Sequence, residues 1–105
     1  MINKAYGLLG LATRAGKIVF GTEACIKAIN SKKVKLILIA TDAAERTKLN
    51  FANECKKNNV PLIECFNIEN MSKAIGQSNK AVIGINDTNF SKEIMKIING
   101  GEAIG

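Results

Sequence analysis

The residues Leu36-Ile37-Leu38-Ile39-Ala40 decide the fold, because an unbroken apolar run of this length is typical of a central strand that is covered on both faces. A second run, Ala81-Val82-Ile83-Gly84-Ile85, has the same character. Two shorter apolar segments, at residues 17–20 and 62–65, predict two further strands. Helical patterns separate the strands, and this alternation predicts an α/β protein with the architecture of a three-layer α/β/α sandwich. We expect its four-stranded sheet to be mixed, with a wholly parallel sheet as the alternative.

Apolar side chains recur at helical spacing in the segments between the strands. They predict helices over residues 3–13, 22–31, 42–55, 67–75 and 90–98. Thr22 stands where it can cap the second helix, and Asp42 with Glu45 forms a capping-box-like start for the third. These elements make residues 1–99 a single domain. Residues 100–105, which include three glycines, are expected to form a flexible C-terminal tail.

Composition narrows both the class of protein and the kind of site. The chain has 105 residues, of which 47% are apolar and 23% charged, as expected of a soluble protein with a real core. Its cysteines, Cys25, Cys55 and Cys65, are too few for a four-ligand zinc site and are odd in number, which fits buried thiols in a reducing cytoplasm. The chain has no histidine, which removes the commonest general base. We expect no cofactor, no metal, no membrane partner and no small-molecule substrate, and we expect a monomer.

The excess positive charge is confined to the first third of the chain. Residues 1–35 contain seven basic residues and one acid, Glu23, so they carry seven minus one, or +6, which is the net charge of the whole chain. Residues 36–105 contain eight basic and eight acidic residues and sum to zero. Such an imbalance predicts a basic face that binds a polyanion, with ordinary solubilising lysine as the alternative.

Two patterns suggest an enzyme, and neither is persuasive. Residues 10–17, Gly-Leu-Ala-Thr-Arg-Ala-Gly-Lys, are similar to a P-loop, but one residue too many separates the glycines and Ile18 stands where Ser or Thr must hold magnesium. Asp42 follows a central strand, and with Glu45 it leaves open a small hydrolase, which requires a concave pocket at the strand ends. The position of both carboxylates at a helix start favours capping, so we expect no enzymatic activity.

A third pattern, Phe20-Gly21-Thr22-Glu23-Ala24-Cys25-Ile26-Lys27, places a glycine directly before a helix. Gly21 lets a ligand approach the backbone closely, and the helix start exposes N–H groups that suit a phosphate. Glu23, Lys27 and Asn30 follow at helical spacing and form one outward stripe that can hydrogen-bond base edges and phosphates. The alternative is an ordinary ion pair between Glu23 and Lys27, worth about 0.3–0.5 kcal/mol, and taken alone this pattern favours it.

The ordered set of motifs resembles the ribosomal L-seven-Ae family. The set consists of Gly21-Thr22 with Lys27, the strand Leu36 to Ala40 followed by Asp42, then Val60-Pro61, then the short helix Met71-Ser72-Lys73-Ala74-Ile75-Gly76. The resemblance covers residues 3–98, and the opening segment at residues 8–17 is most similar to the small bacterial YlxQ-like branch of that family.

The resemblance implies a three-layer α/β/α fold and a protein that binds kink-turn RNA, a sharply bent internal loop with tandem G·A pairs, with ribosomal RNA as a candidate target. It implies that the segment from Gly21 to Lys27 meets the G·A pairs. It also implies that residues 66–72 cover a flipped-out nucleotide, which is the kind of base that proteins read in RNA. The basic residues near the N-terminus would then hold the RNA backbone. The implied RNA-binding residues are Arg14, Lys17, Gly21, Thr22, Glu23, Lys27, Asn30, Lys32, Lys33, Phe66, Ile68, Met71 and Ser72.

The chain departs from the family pattern at two places. The family's Asn-Glu pair is Glu23-Ala24 here, and Ala24 cannot accept a hydrogen bond from a guanine edge. Met71-Ser72 replaces the family's Leu-Gly. These departures leave an alternative from another class, a protein-interaction module that keeps the fold without specific RNA recognition.

Overall fold

The structure is a computed structural model, and it describes residues 4–99. The tail predicted at residues 100–105 lies outside the described residues. Helices and strands alternate along the described chain as α1 Lys4–Arg14, β1 Ile18–Phe20, α2 Thr22–Asn30, β2 Leu36–Ile39, α3 Glu45–Asn58, β3 Leu62–Glu64, α4 Ile68–Ala74, β4 Val82–Ile85 and α5 Thr88–Asn99.

The four strands form one mixed sheet in the order β1-β4-β2-β3. β4 is antiparallel to both of its neighbours: Val19 lies opposite Gly84 in one pair, and Ile37 lies opposite the same glycine in the other. β2 and β3 are parallel, with Leu38 opposite Ile63. The prediction of a mixed sheet is therefore confirmed. All residues of β2 and β4 are buried, as their unbroken apolar sequences predicted.

Helices cover both faces of the sheet and create two apolar layers. On one face α1, α4 and α5 pack against alternate residues of the central strands, such as Leu38 and Ile83. On the other face α2 and α3 pack against the intervening residues, such as Ile37 and Val82. The period of two in a strand sends neighbouring side chains to opposite layers, and the predicted three-layer sandwich is confirmed.

Two predicted helix caps are wrong. α3 begins at Glu45, with Ala44 as its N-cap residue and no side-chain capping bond. The Asp42 carboxylate instead accepts a hydrogen bond of 2.8 Å from the backbone N–H of Ile68. Thr22 is the first residue of α2 rather than its cap, and Gly21 takes the N-cap position with φ of 92° and no side-chain bond.

The order and directions of the strands give the sheet two distinct ends. β1, β2 and β3 finish where β4 begins, and we call this the Gly21 end. The opposite end, where β1 and β2 begin and β4 finishes, we call the Lys17 end. The run from Lys17 to Gly21 spans about 13 Å of extended chain.

Candidate functional site

Strand direction brings four chain segments together at the Gly21 end. The backbone N–H of Gly21 donates to the carbonyl of Val82 at 3.1 Å, and the N–H of Ala40 donates to the carbonyl of Ala81 at 2.9 Å. The assembled segments are the start of α2 and the loops at residues 40–44, 65–67 and 75–81. Segments that are far apart in sequence therefore form one continuous surface.

The start of α2 has the geometry of an anion-binding turn. Gly21 has φ of 92°, a region that side chains with a Cβ seldom adopt, and a Cβ placed there would meet nothing within 4 Å. The glycine is thus required by the backbone turn, and the space beside it is open. Thr22 and Glu23 follow in the first helical turn and are exposed. The first N–H groups of an α-helix have no partners within the helix, so they are available to a phosphate or a carbonyl oxygen.

The predicted outward stripe on α2 is confirmed as a geometric feature. Glu23, Lys27 and Asn30 are all exposed, whereas Cys25 and Ile29 are fully buried beneath them. Within residues 4–99, neither Glu23 nor Lys27 has an oppositely charged group within 4.0 Å. The ordinary reading, in which Lys27 neutralises Glu23, is therefore not what the structure shows, and the Lys27 ammonium is available to an external partner.

The stripe reaches beyond the Gly21 end. Asn30 accepts a hydrogen bond of 3.4 Å from the side-chain amide of Asn58, at the last turn of α3. The seven steps from Glu23 to Asn30 rise by about 10 Å along the helix, so Asn30 belongs to the Lys17 end. Only the first two turns of α2 can contact a ligand held at the Gly21 end.

The loop at residues 65–67 is fixed by the residues that follow β2. The backbone N–H and the hydroxyl of Thr41 both donate to the carbonyl of Phe66, at 3.0 and 2.8 Å. The hydrogen bond from Ile68 N–H to the Asp42 carboxylate holds the same loop two residues further along the chain. Phe66 itself has φ of 61°, a left-handed conformation that is uncommon for a bulky residue. Thr41 and Asp42 therefore position the loop.

The apolar side chains of this loop and of α4 divide into accessible and inaccessible groups. Phe66 and Ile68 are half-buried. The Phe66 ring lies 4.8 Å from the Tyr6 ring, tilted by 46°, so one part of its surface is already covered. Met71 is fully buried in the core between α4 and the sheet. The prediction that Met71 contacts a splayed base is wrong, because its side chain is needed for packing.

Ser72 was also predicted to contact RNA, and its burial of 98% excludes direct contact, since only 2% of its surface is exposed. Its hydroxyl accepts a hydrogen bond of 2.7 Å from the backbone N–H of Lys80 and donates one of 3.1 Å to the carbonyl of the same residue. The carbonyl of Ser72 accepts a further bond of 2.8 Å from the N–H of Gln77. Ser72 therefore positions the loop at residues 75–81.

Lys80 is a candidate residue that the sequence reasoning missed. Its ammonium lies 5.5 Å from the centre of the Phe20 ring, directly before Gly21. The position of Lys80 depends on β4 lying beside β1, and no local motif reveals that pairing. Two other lysines near this end form ion pairs: Lys48 pairs with Glu64 at 3.0 Å, and Lys73 pairs with Glu69 at 3.7 Å.

The structure does not bring the predicted backbone-binding cations to the Gly21 end. Lys17 lies at the other end of β1, where its carbonyl accepts a bond of 2.8 Å from Asn86 N–H. Lys32 and Lys33 follow the last turn of α2, and the N–H of Lys33 donates to Ala28 at 3.0 Å. Arg14 ends α1 on the same side. These four residues lie at the opposite end of the sheet from Gly21, because β1 and α2 both run the length of the sheet, and their role in holding the RNA backbone stays a prediction.

The remaining chemical groups offer little for catalysis. The shallow groove beside α3 is lined by Glu45, Lys48 and Leu49 among others, but Asp42 is not part of it. The two carboxylates of the hydrolase alternative are used separately: Asp42 accepts from Ile68, and Glu45 lies 3.7 Å from the Lys48 ammonium. The described residues contain no cluster of three metal-ligating side chains. They also contain no helix with the length and hydropathy that a membrane span requires.

The three thiols are buried, as the sequence predicted. Burial raises the pKa of Cys25 and of Cys65 to about 12 and that of Cys55 to about 11. A thiol that stays protonated at neutral pH is a poor nucleophile, so these residues serve as small apolar side chains.

The fold and the surface at the Gly21 end define a class of protein: a small three-layer α/β/α domain that presents loops from four strands at one end of a mixed sheet. The chain belongs to the ribosomal protein L7Ae/L30e/S12e/Gadd45 family, whose sequence model matches residues 3–95. Two similar proteins are called RNA-binding protein YlxQ. The one from Enterococcus faecium is 38% identical over 97 residues, which cover 92% of this chain and 93% of that protein. The one from Bacillus subtilis (strain 168) is 29% identical over 93 residues, with 89% and 93% covered.

Solved structures show the same architecture. A protein of unknown function from Bacillus halodurans superposes with a TM-score of 0.90 at 32% identity, covering 93% of this chain and 99% of that one. A Giardia lamblia 15.5kD RNA binding protein superposes with a TM-score of 0.75 at 22% identity, covering 93% and 84%. The second likeness supports the fold alone.

Proposed function

We propose that this protein is a non-enzymatic RNA-binding protein that recognises a kink-turn or similar bent RNA element through the Gly21 end. The observation that carries the proposal is the juxtaposition of the open, glycine-led start of α2 with the clamped loop that presents Phe66 and Ile68. Family membership and the relatives that are called RNA-binding proteins support the same conclusion.

Each part of the Gly21 end has a chemical role in this proposal. The N–H groups at the start of α2 and the exposed ammonium of Lys27 contact phosphates and groove edges at the bend. Lys80 approaches from the loop at residues 75–81 and adds a second cation. Phe66 and Ile68 offer an apolar edge to a base that is turned out of the stack.

Binding acts on a pre-existing equilibrium of the RNA. A kink-turn that samples its bent form only part of the time is stabilised in that form by a protein that binds the bent form preferentially. The rigid loop at residues 65–67 favours this selectivity, because the hydrogen bonds from Thr41 and Ile68 fix its shape before RNA arrives. Such a protein acts in the cytoplasm as a monomer, with structured RNA of the ribosome or of translation as its partner.

Glu23-Ala24 limits the hydrogen bonds that the stripe can make. Glu23 is exposed, and its carboxylate has acceptor oxygens only. It can therefore accept hydrogen bonds from the amino groups of guanine, adenine or cytosine but cannot donate one. We assign it the acceptor role at the G·A pairs. The donor roles then fall to backbone N–H groups at the start of α2.

The test is a titration of the protein into a kink-turn RNA that carries fluorophores on its two arms, at two salt concentrations, with a straight RNA duplex as control. We expect bending of the kink-turn alone. The Lys27→Ala variant is expected to weaken this binding and to reduce the salt slope by about 1, since it removes one phosphate contact. Lys96→Ala, an exposed change on α5, is the matched control and should leave both unchanged.

Three results would contradict the proposal. Unchanged affinity of Lys27→Ala would remove α2 from the site. Equal binding to both RNAs without bending would mean that no bent element is recognised. Absence of RNA binding would leave the fold as a protein-interaction module, for which affinity depends little on salt.

A further inference from the structure

The excess positive charge of this protein lies at the Lys17 end, away from the surface to which RNA recognition is assigned above. Five exposed cations surround that end: Arg14, Lys17, Lys32, Lys33 and Lys35. The backbone N–H of Lys35 donates to the carbonyl of Ile85 at 2.7 Å, and the N–H of Asn86 donates to the carbonyl of Lys17 at 2.8 Å. Lys17 and Lys35 therefore flank the end of β4 from its two neighbouring strands.

The described part of the chain gives these five cations no acidic partner. Within residues 4–99 none of them takes part in an ion pair. One acid, Asp87, follows β4 at this end, and its carboxylate accepts a hydrogen bond of 2.8 Å from Phe90 N–H at the start of α5 while keeping its negative charge. The five cations outnumber this carboxylate, so the Lys17 end carries an exposed excess of positive charge.

The Gly21 end has a different balance of acidic and basic side chains. Its loops and helix starts carry five acids, which are Glu23, Asp42, Glu45, Glu64 and Glu69. Lys48 and Lys73 are each held by one or more of these acids. The attraction of a polyanion over distance therefore comes chiefly from the Lys17 end.

The geometry of the cluster suits a phosphate backbone. Lys17 and Lys35 are separated by two strand spacings, or about 10 Å between their backbones. Lysine ammonium groups are point charges that bind phosphates without selecting a base sequence. The distance of about 13 Å along β1 prevents a phosphate held at the Lys17 end from also contacting Gly21.

We infer that the Lys17 end is a second RNA-binding surface, which holds the phosphate backbone of a double-helical RNA segment while the Gly21 end holds the bent element. The protein then connects two parts of its RNA partner across the length of its sheet. This inference rests on the proposed function in one respect, namely that the polyanion is RNA.

The experiment measures binding to a straight RNA duplex across a salt series. The test variant combines Lys17→Gln with Lys35→Gln. The control variant combines Lys73→Gln with Lys96→Gln, which removes the same charge from exposed positions on α4 and α5. We expect the test variant to lower the salt slope by about 2 and the control variant to leave it unchanged, since only the first removes two phosphate contacts.

Equal effects of the two variants would show that only net charge matters, and would overturn the inference, as would an unchanged slope in the test variant. Bending of the kink-turn RNA is followed in parallel with the same proteins. Loss of bending in Lys27→Ala with normal duplex binding supports two separate surfaces. If no protein bends the kink-turn while the duplex results hold, the Gly21 assignment fails and the Lys17 surface stands.

Discussion

Ser72 and Ser91 form a natural pair for testing how the Gly21 end is held together. Both serines are only 2% exposed. The Ser72 hydroxyl makes two hydrogen bonds to the backbone of Lys80, whereas the Ser91 hydroxyl has no partner among the described residues. Replacing each by alanine removes the same atom from two equally buried positions, and only one of them fixes a loop.

The two substitutions should change the free energy of unfolding differently: Ser72→Ala should lower it, and Ser91→Ala should leave it unchanged or raise it. Ser72→Ala removes two hydrogen bonds of about 1 kcal/mol each and leaves the N–H and carbonyl of Lys80 without those partners, so we expect a loss of about 1–3 kcal/mol in the free energy of unfolding. Ser91→Ala removes a buried hydroxyl that gains nothing from its surroundings. Its expected effect is therefore between no change and a gain of about 1 kcal/mol.

Urea unfolding of the two variants and the parent protein measures these free energies, and an unchanged m-value shows that the same surface is exposed each time. Kink-turn RNA titration adds the functional readout. Ser72→Ala should weaken RNA binding, because the loop that carries Lys80 loses its anchor. Ser91→Ala should bind RNA as the parent does.

Equal destabilisation by the two variants would refute the reasoning, because it would mean that the paired and the unpaired hydroxyl contribute alike. Undiminished RNA binding by a destabilised but folded Ser72→Ala protein would show that the position of Lys80 has no role at the Gly21 end.

Three further predictions concern the interior and are checked by urea unfolding. Gly84→Ala places a Cβ 2.8 Å from a methyl carbon of Val19 and 2.9 Å from one of Val34, so we expect the free energy of unfolding to fall by about 1–3 kcal/mol. Adding Val34→Ala should restore part of this stability. An unchanged stability of Gly84→Ala would contradict this packing. Leu38→Ala, at a fully buried site in β2, should cost about 2–5 kcal/mol, and a smaller loss would mean that the core collapses around the cavity. The pKa of Cys25 is about 12 in the folded protein and 9.0 when unfolded, so between pH 9 and 12 the folded state binds more protons and the free energy of unfolding falls as pH rises. Cys25→Ala should make this fall shallower by about 1.4 kcal/mol per pH unit. If the slope of the variant equals that of the parent protein, Cys25 is not the source of the pH dependence.

The sequence predicted the strands well because burial on both faces leaves an unmistakable pattern. Leu36 to Ala40 and Ala81 to Ile85 contain the two central strands, and both proved to be fully buried. The order of the strands was not predictable in the same way. β4 is placed between β1 and β2 by pairing across the whole chain, and nothing local to residues 81–85 specifies its neighbours.

The candidate site was predictable only where it is local. Gly21 and Lys27 belong to one turn and helix, so spacing alone placed them together and facing outward. Lys17 and Lys33 are also near Gly21 in the sequence, yet a strand and a helix carry them to the other end of the sheet. Charge counted along the chain therefore could not show which cations share a surface.

Side-chain burial accounts for two of the other corrections, and the position of a loop accounts for a third. Met71 and Ser72 lie in a predicted binding segment, but the short helix α4 turns both of them inward. Asp42 has the sequence context of a helix cap, and the nearby N–H of Ile68 competes successfully for its carboxylate. Both outcomes depend on where the β3–α4 loop lies in space.

The central place of β4 has a consequence for synthesis of the chain. Within the described sheet β1 and β2 do not pair with each other. β1 pairs with β4 alone, and β2, which also pairs with β3, is joined to β1 through residues 82–85. A nascent polypeptide that has not yet released these residues has β1 unpaired and has no way to join Gly21 to the loops around it. Contacts between residues so distant in sequence also slow folding. The surface at the Gly21 end is therefore assembled only after residues 82–85 have left the ribosome, later than the other segments that it brings together.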